Sequence, residues 1–210
     1  MIDVKGVDTI TIANTADLKY EGQVTAGTLY SDLGNDVRDY KQVVYEDGKL
    51  IADTDDAAKI VIDKNNSDKK ASYKGATMEV FIDDDKEVNT FVIINTYLAQ
   101  VDTIDENRDD DTLLDIDFDV FGFGGVTLEE QESFGYEEDD YVLVTLGKDG
   151  SDDVIDVIGA PETIEGTASR IGDDYYTIDG TKYNFSAQYA ENAIGNDYNG
   201  TYTFYLDNQG

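Results

Sequence analysis

The chain has 210 residues, with 47 acidic against 15 basic, no histidine, no cysteine and no tryptophan, and a formal net charge of −32. Without His or Cys, ordinary zinc and copper sites are excluded, as are nucleophile systems built on Cys or on Ser–His pairs. The charge disfavours nucleic acid and anionic membrane as partners and favours cations, basic proteins or water.

Hydrophobic residues make up 40% of the chain, and Tyr, Phe, Val and Ile recur in short runs. That is too much apolar content for a disordered acidic tail. The length suits one large domain or two to three small ones. Asp outnumbers Glu by 34 to 13, and Asp favours turns and strand ends where Glu favours helices. Two like charges ~7 Å apart in water repel by ~0.6 kcal/mol before screening, so stability should depend on salt. A salt-adapted source and a cell-surface protein bathed in divalent cations both fit that charge. The lack of Cys leaves the redox compartment unread. No run approaches the ~18 apolar residues of a membrane-spanning helix. Met1 to Lys5 lacks the basic and apolar regions of a signal peptide, which reads as a cytosolic start or as the start of an expressed fragment.

In chain order, Val43-Val44-Tyr45 leads through Glu46-Asp47-Gly48-Lys49 into Leu50-Ile51-Ala52, a hairpin turning on Asp-Gly. Lys59 to Ile62 reads as a strand ending in a polar loop, Asp63 to Lys70. Met78, Val80 and Ile82 alternate with Thr77, Glu79 and Phe81, and an acidic turn follows at Asp83-Asp84-Asp85. The longest strand candidate is Thr90 to Ile104. Leu114, Ile116 and Phe118 share one strand face, with Asp115 and Asp117 on the other. Val142 to Leu146 and Val154 to Ile158 flank a hairpin at Lys148-Asp149-Gly150-Ser151. Thr163 to Ile171 is a strand, and Tyr175 to Ile178 turns at Asp179-Gly180 into Thr181 to Phe185. Tyr202, Phe204 and Leu206 share a face of the final strand. Short helices are expected only at Leu128 to Phe134 and at Ala187 to Ile194, the latter stopped by Gly195. The spacing predicts an all-β fold with minor helix, made of small antiparallel sandwich or open-barrel domains in series.

Soft boundaries near Glu87-Val88-Asn89 and around Pro161, the single proline, divide the chain into a β-rich domain over 1–88, a small barrel-like domain over 89–160 and a second barrel-like unit over 161–210. Residues 163–206 repeat in outline the strand order of residues 90–160. The repeat stops at Asp207-Asn208-Gln209-Gly210, a turn with nothing after it, which predicts a fragment cut before its closing strand. The strand at Thr201 to Leu206 would then expose an unpaired edge that pairs between chains.

VVYEDGKLIAD, ATMEVFIDDDKEVNTFVIINTYLAQVDTID, DDYVLVTL, EGTASRIGDDYYTIDGTKYNF and TYTFYLDNQG cover roughly residues 40–210. In these stretches the chain resembles the non-anchoring region of S-layer-homology-domain surface proteins of gut Clostridia. The resemblance implies export, an extracellular location at the cell wall or cell surface, and strings of small β domains. It implies cell-envelope components or other copies of the chain as partners. The anchoring repeats themselves are not visible, so no residue here is assigned to wall attachment.

Calcium is the one cofactor the residues suggest. Asp105, Asn107, Asp109 and Asp111 offer oxygens at alternate positions in the manner of an EF-hand loop. Asp110 stands where that loop needs Gly, and Ile116 where it needs Glu, so this is not an EF-hand. Asp83-Asp84-Asp85 and Asp115/Asp117/Asp119 are further oxygen-rich candidates; a solvated acidic loop is the plainer reading of each. Carboxylate pairs are too abundant to single out a catalytic one. Tyr175-Tyr176 or Tyr198/Tyr202 would suit sugar stacking, against the plainer reading of Tyr as strand filling. Phe121-Gly122-Phe123-Gly124-Gly125 lacks the Lys-Ser/Thr of a phosphate loop and reads as a flexible corner. The expected function is a non-catalytic structural or interaction module of an exported surface protein. The alternatives are a glycan- or host-protein-binding module and a secreted hydrolase using an Asp/Glu pair.

Overall fold

The computed structural model describes residues 17–23, 40–54, 75–149, 152–172, 175–186, 200–208 and 210. These hold fourteen strands: β1 (Asp17–Gln23), β2 (Lys41–Glu46), β3 (Lys49–Thr54), β4 (Thr77–Asp83), β5 (Val88–Ile94), β6 (Thr96–Glu106), β7 (Leu114–Val120), β8 (Gly124–Gln131), β9 (Tyr141–Asp149), β10 (Asp152–Gly159), β11 (Thr163–Ile171), β12 (Tyr175–Ile178), β13 (Thr181–Asn184) and β14 (Thr201–Tyr205). No helix occurs among the described residues, and the fold is all-β. The strands form three sheets, in the orders β1-β4-β5-β2-β3, β10-β9-β6-β7-β8 and β13-β12-β11-β14. None closes into a barrel. The first sheet is mixed, because β2 runs parallel to β5. Contacts gather into two units, Met1–Asn95 with Thr145–Asp156, and Thr96–Val144 with Val157–Gly210. Glu87 and Val88 lie at the close of the β4–β5 turn and the start of β5.

In the first unit β4 and β5 sit inside the sheet, and their cores are consecutive rather than alternating. Val80, Phe81 and Ile82 are buried in a row, as are Phe91, Val92 and Ile93. Burial of consecutive residues means that both faces of these strands are covered, which is why they read as continuous apolar runs. The β2–β3 hairpin turns on Asp47 and Gly48, both at positive φ (47° and 77°), as a tight hairpin turn requires. Asp179 and Gly180 repeat the device between β12 and β13, at 46° and 88°.

The expected long strand over Thr90 to Ile104 is two strands, broken at Asn95. Asn95 is buried. Its backbone N–H donates to Asp47 Oδ1 at 2.8 Å, and its Nδ2 donates to Asp47 Oδ2 and Glu46 Oε1, each at 2.9 Å. The β2–β3 turn thus takes the backbone N–H that would have continued the ladder.

In the second unit β7 alternates as its sequence demands. Ile116, Phe118 and Val120 are buried, while Asp115, Asp117 and Asp119 face outward. The helix expected over Leu128 to Phe134 is absent: Leu128 to Gln131 end β8, with Val126 opposite Phe118 and Leu128 opposite Ile116. Pairing of apolar residues at every second position outweighs the local helix signal. Phe134 then packs edge-on over Phe118, with ring centroids 5.8 Å apart. The strand expected at Lys59 to Ile62 and the helix at Ala187 to Ile194 lie outside the described residues.

Candidate functional site: an acidic and aromatic sheet face

The outward side of β6, β7 and β8 is built by period-two alternation. Register places Gln100 opposite Asp119, Thr103 opposite Asp117 and Asp105 opposite Asp115; on the other side, Asp117 faces Thr127 and Asp119 faces Gly125. The Phe121 N–H donates to the Leu98 carbonyl at 3.0 Å, which carries the row one step further. Along β7 the outer face therefore runs from carboxylates to an aromatic ring.

The carboxylates differ in how they are held. Asp117 accepts from Thr103 Oγ1 at 3.1 Å and from Thr127 Oγ1 at 2.5 Å, which laces the three strands together. Asp115 accepts from Asn107 Nδ2 with both oxygens, at 2.9 and 3.1 Å, and from the Glu130 N–H at 3.0 Å. These bonds, Asn107 first, hold the Asp115 carboxyl below its ordinary pKa. The Asp102 and Asp119 carboxylates accept no hydrogen bond from any described residue. With Asp117 and Thr127 they line a shallow cavity of about 350 Å³, floored in part by Gly125. A side chain at Gly125 would meet nothing nearer than the Phe118 carbonyl, 3.9 Å from the added carbon, so the glycine keeps this space open.

Beyond the carboxylates lies a row of rings. Phe121 stacks on Tyr141 at 6.1 Å, and Tyr141 meets Tyr205 at 4.6 Å. Phe121 and Tyr205 are exposed, at 36% and 37%. Phe123, 46% exposed, leans edge-on against Tyr97. Burial of its hydroxyl, with Tyr141 alongside, pushes the Tyr205 phenol above its ordinary pKa. Just before Tyr141, Asp139 accepts from Gln100 Nε2 at 3.3 Å, which joins another carboxylate to the same face.

The four residues of the candidate calcium loop have separate places. Asp105 stands opposite Asp115 in the β6–β7 ladder. Asn107 turns its oxygen to the N–H groups of Asp109 and Asp110, at 2.9 and 3.1 Å, and so organises the loop backbone. Asp109 and Asp111 point to solvent. Asp110 accepts from the Thr112 hydroxyl and N–H, which together lower its pKa. Among the described residues, no three acidic side chains gather into a group that would hold a metal ion. In the other acidic turn, Asp83 is buried and bonds the N–H and ammonium of Lys86, while Asp84 accepts from the Tyr40 hydroxyl.

Of the tyrosines singled out for sugar stacking, Tyr176 is buried against Phe185 and Phe204. Tyr175 carries the Lys182 ammonium 4.1 Å from its ring centre, with Arg170 at 5.6 Å. Tyr202 packs on Phe204, and Tyr198 lies outside the described residues. The row Phe121–Tyr141–Tyr205 escaped sequence reasoning, because its members are remote in the chain. The one available signal was two phenylalanines in a glycine-rich turn, where a plain corner needs none. No helix of the described residues is long and apolar enough to cross a membrane. No family model, curated protein or solved structure matches the chain.

Proposed function

We propose that this chain is a non-catalytic structural or interaction module of an exported bacterial cell-surface protein. The observation that carries the non-catalytic part is the use made of the β7 carboxylates. Asp117 binds strand to strand through two threonine hydroxyls, and Asp115 ties β7 to Asn107 and to the Glu130 backbone. A general acid needs a carboxyl raised toward neutrality; Asp115 and Asp110 are displaced the other way. The surface location rests on the family resemblance and on a charge suited to an exterior rich in cations. The module needs no cofactor for this role, and calcium, if bound, would act as a surface bridge. A binding role is favoured over a pure spacer by the exposed rings of Phe121, Phe123 and Tyr205.

Two measurements test this reading. Brief protease treatment of intact cells should remove the protein's epitopes before lysis; retention in the cytosolic fraction would end the surface assignment. Purified protein should release no product from a panel of aryl glycosides. Turnover that disappears in Asp117→Asn or Asp119→Asn would replace the module with a hydrolase.

A further inference from the structure

We infer that the outer face of β6, β7 and β8, from Phe121 to Asp117, is a docking surface for an extended cationic segment of a partner protein, with arginine or lysine at alternate positions. The inference rests on reading the chain as an interaction module, and it names the partner's chemistry.

Charge is the first argument. Arg108 is the single basic residue between Thr96 and Val144, against sixteen acidic ones. The Asp102 and Asp119 carboxylates open on the cavity beside Gly125 with no hydrogen bond from a described residue, and Asp139 stands next to them through Gln100. Such a face repels a second copy of a chain carrying −32. Ring chemistry is the second. Phe121 is exposed, stacked on Tyr141 and two residues beyond Asp119. A guanidinium stacks on an aromatic face while its N–H groups reach a carboxylate, and arginine is the side chain that does both. Tyr175 already carries a cation in this way within the chain, under Lys182. Spacing is the third. Outward side chains on β7 recur every second residue, roughly 6.8 Å apart, and an extended peptide repeats its side chains at the same interval. A segment lying along β7 would set one cation over Phe121, the next at Asp119 and a third at the mouth of the Asp102–Asp117 cavity.

Generic attraction between a polyanion and a polycation is separated by charge-matched variants. A fluorescent eight-residue peptide alternating Arg and Thr is titrated at near-physiological salt against the intact chain, Phe121→Ala, Asp119→Asn and Asp85→Asn. Asp85 is exposed in the β4–β5 turn, so its variant makes the same charge change elsewhere. We expect Asp85→Asn to bind like the parent. Phe121→Ala should bind about three- to fivefold more weakly, and Asp119→Asn about two- to fivefold more weakly. Equal binding by all four proteins would reduce the effect to diffuse charge and overturn the inference, as would no binding by any of them. Binding of a neutral oligosaccharide that Phe121→Ala abolishes, with peptide binding unchanged, would hand the face to a glycan and also overturn it. If Phe121→Ala does not fold, the comparison of Asp119→Asn with Asp85→Asn decides alone. Surface location and glycoside turnover are measured independently, so a failed peptide titration sinks this docking surface and leaves the module reading standing.

Discussion

Asp115 and Asp117 are neighbours on the outer face of β7, yet they are held by different chemistry. Asp117 takes hydroxyls from strands on both sides, while Asp115 takes an amide and a backbone N–H. Each bond to Asp115 favours its charged form, so its folded pKa lies below the ordinary value of about 3.9. The stability it contributes is therefore fully present above about pH 4 and fades as pH falls through the lower, folded value. Replacement by Asn keeps the shape and removes the charge. The melting temperature of Asp115→Asn should lie below that of the parent near neutral pH, and the gap should close in acid. A gap constant down to about pH 3 would show that the second acceptor oxygen, not the charge, is what Asn107 and Glu130 require. The alternation that puts these acids outside was legible, since a strand's period of two can be read from Leu114 to Phe118 alone. Their bonding partners were not: nothing local says that Asn107 serves Asp115 rather than an ion. Nor does local sequence bring Tyr205 onto Tyr141, because that contact depends on where a distant strand is laid.

At the scale of elements, the two Asp-Gly hairpins were readable because Asp and Gly tolerate a backbone that other residues avoid. Their surroundings were not readable, and they differ. A Cβ on Gly180 would meet nothing within 4 Å, whereas one on Gly48 would lie 2.8 Å from the Lys148 backbone nitrogen and 3.3 Å from the Gly147 carbonyl carbon. Backbone cannot swing aside as the end of a side chain can. Gly180→Ala should therefore cost only the left-handed conformation, about 1–2 kcal/mol. Gly48→Ala should cost about 1–3 kcal/mol more, through displaced packing. Urea unfolding of the two variants compares them directly, and equal midpoints would show that the Gly48 turn is not packed closely against β9. The parallel pairing of β2 with β5 belongs to this scale as well. It joins strands separated by the β3 and β4 segments, and neither strand's own pattern distinguishes a parallel partner from an antiparallel one. The break at Asn95 was hidden for the same reason, since the turn that claims its N–H lies 48 residues away in the chain.

For the whole molecule, the charge of −32 is a standing cost, because acids that point outward from strands and turns repel one another. Screening acts over ~10 Å at 0.1 M salt and ~3 Å at 1 M, so it reaches near neighbours only at the higher concentration. The melting temperature should rise with sodium chloride from low ionic strength and level off near molar salt. Divalent cations should raise it further at equal ionic strength, since one ion neutralises two carboxylates. Calcium and magnesium should act alike if they do no more than this. The loop from Asp105 to Asp111 gives the reason to expect so: the Asn107 oxygen already accepts two backbone N–H groups, and ligation would require it to give them up. An added rise with calcium over matched magnesium, lost in Asp109→Asn and Asp111→Asn, would instead mean that the ion reorganises this loop. The acidity would then have a specific ligand rather than a general atmosphere of cations.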